Sequence, residues 1–176
     1  EVQGQRVGSW GDVGCFSFYA NKVITTGEGG MLVTDREDLA DRARSLRNLA
    51  FGRPRFVHHD TGYNYRLTNV QAAIGCAQME RIDEVVSAKR ALAAAYIERL
   101  RDVPGLRLPV ERAWARNVYW MFALVVEEEF GATRDDLTRA LDDAGIESRT
   151  MFSPMGLQPS LAGHLQLDNL CWVYDN

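Results

Sequence analysis

"CFSFYANKVITTGEGGMLVTD", residues 15–35, sets one lysine, Lys22, between an apolar, aromatic run and a glycine-rich turn. Residues 13–19 cluster apolar and aromatic side chains as a buried strand does, and residues 29–34 read as a second strand. The intervening NKVITTGEGG is too polar and too rich in glycine to continue a helix. The pattern therefore presents Lys22 on a loop at a strand end. Outward from there, Asp35 is placed to cap a helix over 36–49, with Leu39, Ala43 and Leu46 at helical spacing.

Residues 50–66, AFGRPRFVHHDTGYNYR, are irregular, and their aromatics predict an ordered, functional segment rather than a disordered one. Thr68 is a natural N-cap for one long helix to residue 103. Its apolar stripe runs through Val70, Ile74, Ile82, Val86, Ala93, Tyr96 and Leu100, and Pro104 and Gly105 end it. Residues 118–127, VYWMFALVVE, read as a strand. Thr133 starts a helix through Leu137 and Leu141 that Gly145 closes, and IESRTMF resumes an extended run. That order is a small α/β unit, and it predicts two domains, residues 1–103 and 104–176, the second truncated.

The composition is that of a globular protein: 176 residues, 46% hydrophobic, 25% charged, net charge −4. Basic residues are scattered among acidic ones, which argues against nucleic acid or a polybasic membrane surface as partner. No apolar run approaches the length of a bilayer span, and no signal peptide opens the chain. Cys15, Cys76 and Cys171 are widely spaced, which favours a reducing cytoplasm over a disulfide framework. The adjacent His58 and His59 cannot both aim at one metal easily, so no metal centre is expected. The first residue is not methionine, and the opening is turn-rich, as expected of a fragment lacking its amino-terminal part.

A phosphate-binding GxxxxGK[ST] loop puts its lysine after the glycines, and a GxGxxG fingerprint leads into a helix. Here the lysine comes first and a strand follows. Two readings of Lys22 remain. One is a snorkelling lysine beside a tight turn whose glycines supply positive φ. The other is an amine nucleophile forming a Schiff base with pyridoxal phosphate in an apolar site, with Ser17, five residues earlier, offering a hydroxyl to the phosphate. Spacing leaves both open.

The blocks GDVGCFSFYANKVITTGEGGMLVT and GYNYRLTNVQAAIGCAQMERID closely resemble the DegT/DnrJ/EryC1/StrS family of pyridoxal-phosphate-dependent sugar aminotransferases. YWMFALVV, TRDDLTRALDDAGIESR and PMGLQP look like the family's small-domain half. The resemblance implies an α/β, fold-type I, aspartate-aminotransferase-like architecture, with part of a mainly parallel large domain followed by a small α/β domain. It makes Lys22 the catalytic lysine that carries the cofactor, Ser17 a donor to the cofactor phosphate, and Asn64 the group that reaches the phosphate of the neighbouring subunit's cofactor. A homodimer with shared active sites follows, with the 50–66 loop at its interface.

The implied reaction moves an amino group, usually from glutamate, to a keto group on a nucleotide-linked sugar. Family members that dehydrate instead carry histidine where this chain has Lys22. The wording around the site is most like members that convert GDP-4-keto-6-deoxymannose to GDP-perosamine for polysaccharide such as O-antigen. UDP- and dTDP-linked keto sugars are the alternatives, as is a non-catalytic homologue serving dimerisation or ligand sensing.

Departures from the family are expected to matter. Its phosphate loop, its ring-stacking aromatic and the aspartate that pairs with the pyridine nitrogen are not in these residues, and SLAGHLQLDNLCWVYDN does not continue its text. The chain alone is thus expected to be inactive. Arg66 and Arg149 are further candidates for carboxylate or phosphate, and Glu28 for holding the glycine turn, whereas Trp114, Trp120 and Phe122 read as packing in the small domain.

Overall fold

The structure, a computed structural model, describes residues 1–161. His164, Cys171 and most of the divergent carboxyl-terminal run lie outside the described residues. Strands β1 (Gly14–Ser17) and β2 (Gly30–Val33) pair antiparallel, Gly14 opposite Val33 and Ser17 opposite Gly30. Both fall inside the expected runs, and the connection between them holds Lys22. Their burial differs from expectation: Phe16, Met31 and Leu32 are exposed. A two-stranded ribbon has no second layer of its own to cover either face.

Helix α1 (Glu37–Arg47) follows, with Arg36 at the N-cap position and no side-chain cap, so Asp35 does not serve there. The helix instead carries Glu37 and Asp38 in its first turn and Arg44 and Arg47 in its last, charges that complement its dipole.

The long helix expected after Thr68 is two helices, α2 (Asn69–Met79) and α3 (Ile82–Leu100). Thr68 caps α2 as expected. Its hydroxyl accepts the Gln71 N–H at 3.2 Å, and the Gln71 side chain accepts the Thr68 N–H at 3.1 Å. The break comes where the Arg81 N–H bonds the Gln78 carbonyl at 3.1 Å, a tightened turn. Arg81 also forks onto Glu84 at 2.9 and 2.8 Å, and Asp83 and Glu84 open the first turn of α3. Ala93 of the stripe is buried, whereas its Val70, Ile74 and Tyr96 are exposed. A stripe is covered only where a complementary face packs on it.

Beyond α3, β3 (Leu106–Arg107) pairs antiparallel with β4 (Val125–Val126). The strand expected over 118–127 is thus cut to two residues, because Tyr119 at φ 49° leaves the extended region and β3 offers two residues to pair with. Helix α4 (Arg134–Asp143) begins at Thr133 as expected. Thr133 and Asp136 cap each other at 3.2 and 3.0 Å, and Gly145 closes the helix at φ 74°. The IESRTMF run forms no strand.

Two compact units divide the chain: Glu1–Arg90 with Glu111–Trp120, and Ala91–Val110 with the residues from Met121 on. Among the described residues, no helix is long and apolar enough to cross a membrane.

Candidate functional site

Lys22 lies in the first unit, on the connection that β1 and β2 hold at both ends. The Phe18 N–H donates to the Gly29 carbonyl at 2.9 Å. The Phe18 carbonyl accepts from the Thr26 N–H at 3.0 Å and the Thr25 hydroxyl at 2.9 Å. The Lys22 N–H closes a tight turn onto the Tyr19 carbonyl at 3.0 Å. Thr25 Oγ1 also accepts the Gly27 N–H at 2.8 Å, and the buried Thr26 hydroxyl donates to the Glu28 carbonyl. It is the Glu28 backbone, then, that accepts in this turn.

Two glycines allow this closure. Gly29 sits at φ 106°, and a Cβ there would come 2.7 Å from Leu67 Cδ1. Gly75 on α2 lets the helix approach the loop, since a Cβ there would stand 2.9 Å from Thr26 Cγ2. From the same helix, Gln78 Oε1 accepts the Thr25 N–H at 2.8 Å. Helix α2 therefore buttresses the lysine loop from behind. Sequence reasoning missed Gln78, because a contact across 53 residues leaves no periodic trace.

Trp120 is the other side chain that sequence reasoning placed elsewhere. Rather than packing in the small domain, its ring lies under the Lys22 ammonium, Nζ 3.4 Å from the ring centroid, and its Nε1–H donates to the Asn21 carbonyl at 2.7 Å. Ser17, the last residue of β1, is exposed, and its Oγ accepts the Tyr19 N–H at 3.3 Å. That leaves the hydroxyl hydrogen for another acceptor.

Asn64 is held elsewhere. It forms an isolated antiparallel bridge with Asn48, just past α1, and its neighbours Tyr63 and Tyr65 donate backbone N–H groups to the carbonyls of Leu46 and Arg47 at 2.7 and 3.0 Å. The two tyrosine rings stack at 5.0 Å. The Asn64 side chain is exposed, and these bonds tie its segment to the end of α1 rather than to Lys22. In the irregular loop, His58 Nδ1 meets the Leu49 carbonyl at 2.7 Å, and Arg42 pairs with Asp60. Arg149, a sequence candidate, forks onto Glu147 at 2.8 and 3.2 Å.

A polar clamp seats the residues leading to Trp120. Arg90 binds Glu111 with two hydrogen bonds of 2.7 and 2.9 Å and donates to the Asn117 carbonyl at 2.5 Å. The Asn117 N–H donates to Glu111 at 3.1 Å, and Asn117 Oδ1 accepts the Tyr119 N–H at 2.9 Å. Chiefly through the Arg90 guanidinium, the clamp holds the Glu111 carboxyl down at about 2, against the opposing effect of burial. An open depression of about 550 Å³ beside it is lined by Arg90, Glu111, Trp114 and Arg116, and does not include Lys22.

Comparison with known proteins points one way. The model of the DegT/DnrJ/EryC1/StrS aminotransferase family matches residues 1–169. GDP-perosamine synthase of Caulobacter vibrioides is 43% identical over 171 residues, covering 96% of this chain and 46% of the relative. The dTDP-3-amino-3,4,6-trideoxy-alpha-D-glucose transaminase of Streptomyces venezuelae is 36% identical, covering 92% and 41%. Among solved structures, the aminotransferase TlmJ from Streptoalloteichus hindustanus superposes with a TM-score of 0.91 at 31% identity, covering 99% of this chain and 48% of that one. The chain thus spans about half the length of the curated relatives it matches.

Proposed function

The chain belongs to the DegT/DnrJ/EryC1/StrS aminotransferase family, and from that premise we propose that its whole protein is a pyridoxal-phosphate-dependent aminotransferase acting on a nucleotide-linked keto sugar. Its fold is the α/β fold-type I arrangement of such enzymes, present here in part. The observation that carries the proposal is the strand-end loop, which backbone hydrogen bonds beside β1 and β2 and the Gln78 side chain of α2 fix while it presents the Lys22 amine. For the whole protein we keep the division into a cofactor domain up to residue 103 and a small domain from 104.

The residues present fit the cofactor. A half-buried primary amine and, five residues before it, an exposed hydroxyl able to donate are carried by one strand and its turn, the donor types that an aldehyde and a phosphate require. Lys22 would hold the aldehyde, and Ser17 would donate to the phosphate. Asn64, exposed beyond α1, would serve the neighbouring subunit's cofactor in a homodimer. When bound, the cofactor supplies an electron sink for the bond broken at the amino donor's α-carbon. Lys22 Nζ, once freed by the donor, would take the proton from that carbon and pass it to the cofactor, and in the second half of the cycle would deliver a proton to the sugar carbon that receives the amine, so one amine serves both halves.

Glutamate is the proposed donor and GDP-4-keto-6-deoxymannose the proposed acceptor, giving GDP-perosamine in the cytoplasm. What supports that acceptor is the 43% identity to a relative named for the product. The test gives the whole protein glutamate and a panel of GDP-, UDP- and dTDP-linked keto sugars and follows 2-oxoglutarate release. The proposal expects turnover with the GDP-linked sugar, and turnover confined to a dTDP-linked one overturns the acceptor assignment.

A further inference from the structure

We propose that Trp120 is a positioning residue for Lys22: its ring face parks the ammonium and its indole N–H pins the Asn21 carbonyl, so that the amine waits at the strand-end loop until a carbonyl compound takes it. This rests on the reading of Lys22 as the cofactor lysine. One side chain makes two different contacts to two consecutive residues, Nζ of Lys22 3.4 Å from the ring centroid and the Asn21 carbonyl 2.7 Å from Nε1. Together they fix the ring's tilt as well as its place. The ammonium distance is well inside the range in which an aromatic face attracts a cation.

The rest of the first unit supports that seat. Tyr119, the preceding residue, is buried, its N–H bonds Asn117 Oδ1 at 2.9 Å, and its ring lies 5.8 Å from the Arg90 guanidinium that forks onto Glu111. On the other side of the loop, Gln78 of α2 holds Thr25 at 2.8 Å. Residues 21 and 25 are thus anchored by separate partners, and what can still move is the four-carbon lysine stem. A cation–aromatic contact at a partly open site shifts a population by only about two- to fivefold. That is enough to gather a flexible stem and weak enough to release it to a covalent partner.

The sequence contains two lysines, Lys22 and Lys89, both half-buried, so Lys89 is an internal standard. The whole protein, freed of cofactor, is treated with limiting acetic anhydride, and acetylation at Lys22 and Lys89 is quantified by peptide mass spectrometry. Trp120→Leu raises the Lys22-to-Lys89 ratio about two- to fivefold, while Trp120→Phe, which keeps an aromatic face, stays near the unsubstituted chain. An unchanged ratio in Trp120→Leu, or an equal rise in both variants, overturns the proposal.

Should Trp120→Leu lose its fold, judged by far-ultraviolet circular dichroism, a second measurement decides on the intact site. In the chain labelled with 5-fluorotryptophan, Lys22→Met shifts the fluorine resonance that is missing in Trp120→Phe and leaves the others in place. No shift overturns parking. Reduction with borohydride in the presence of pyridoxal phosphate asks the separate question of Lys22 as cofactor lysine. A negative result there sinks that reading, while the acetylation ratios still decide whether the ring parks the amine.

Discussion

Glu111→Gln isolates the clamp that seats Tyr119 and Trp120. The carboxyl is held at about 2 rather than 4.5, mainly by the Arg90 hydrogen bonds. At about 1.4 kcal/mol per pH unit the upper bound is about 3 kcal/mol. The Arg90 and Glu111 side chains are 31% and 26% exposed, so water screens part of this, and the expected loss at pH 7 is about 1–2 kcal/mol. The sign follows from a lowered folded-state value: the folded chain binds fewer protons than the unfolded one between the two values. The contribution is complete above about pH 5 and fades as pH falls through about 2.

Other carboxylates titrate in that range, so the quantity to read is the difference between the chain and its Glu111→Gln variant in urea unfolding at several pH values. That difference should be about 1–2 kcal/mol at pH 6–7 and near zero at pH 2. A difference that stays constant across the range would refute the reasoning, since it would place the effect in packing rather than in the charge on Glu111.

Gln78→Leu removes the acceptor of the Thr25 N–H on the lysine loop. Amide exchange at Thr25 should speed up by about two- to tenfold while exchange in β1 and β2 stays the same. Thr133→Ala deletes half of the capping box that opens α4 and should cost about 1 kcal/mol of local helix stability, read as faster exchange confined to the first turns of α4.

The parts legible in sequence are those whose signals are local. The β1–β2 hairpin was marked by two apolar runs around a glycine turn, and Thr68 and Thr133 announced α2 and α4 because a capping box acts over three residues. The break between α2 and α3 carried no glycine or proline to mark it. The exposure of apolar side chains on β1, β2 and α2 was not legible, because alternation and periodicity report which face is apolar, not what covers it. Within the site, Ser17 and Lys22 came from one strand and its turn. Trp120 reaches the loop from nearly 100 residues away, as the 99-residue span of its bond to Asn21 shows, and no spacing rule connects positions so far apart.

The account stands most directly on which amine takes the cofactor. The whole protein is incubated with pyridoxal phosphate, reduced with borohydride, digested and mapped by mass spectrometry. The account predicts a phosphopyridoxyl group on Lys22, and loss of the cofactor's visible absorbance in Lys22→Ala. A group found on Lys89 or another lysine with Lys22 unmodified, or an absorbance unchanged in Lys22→Ala, would contradict it.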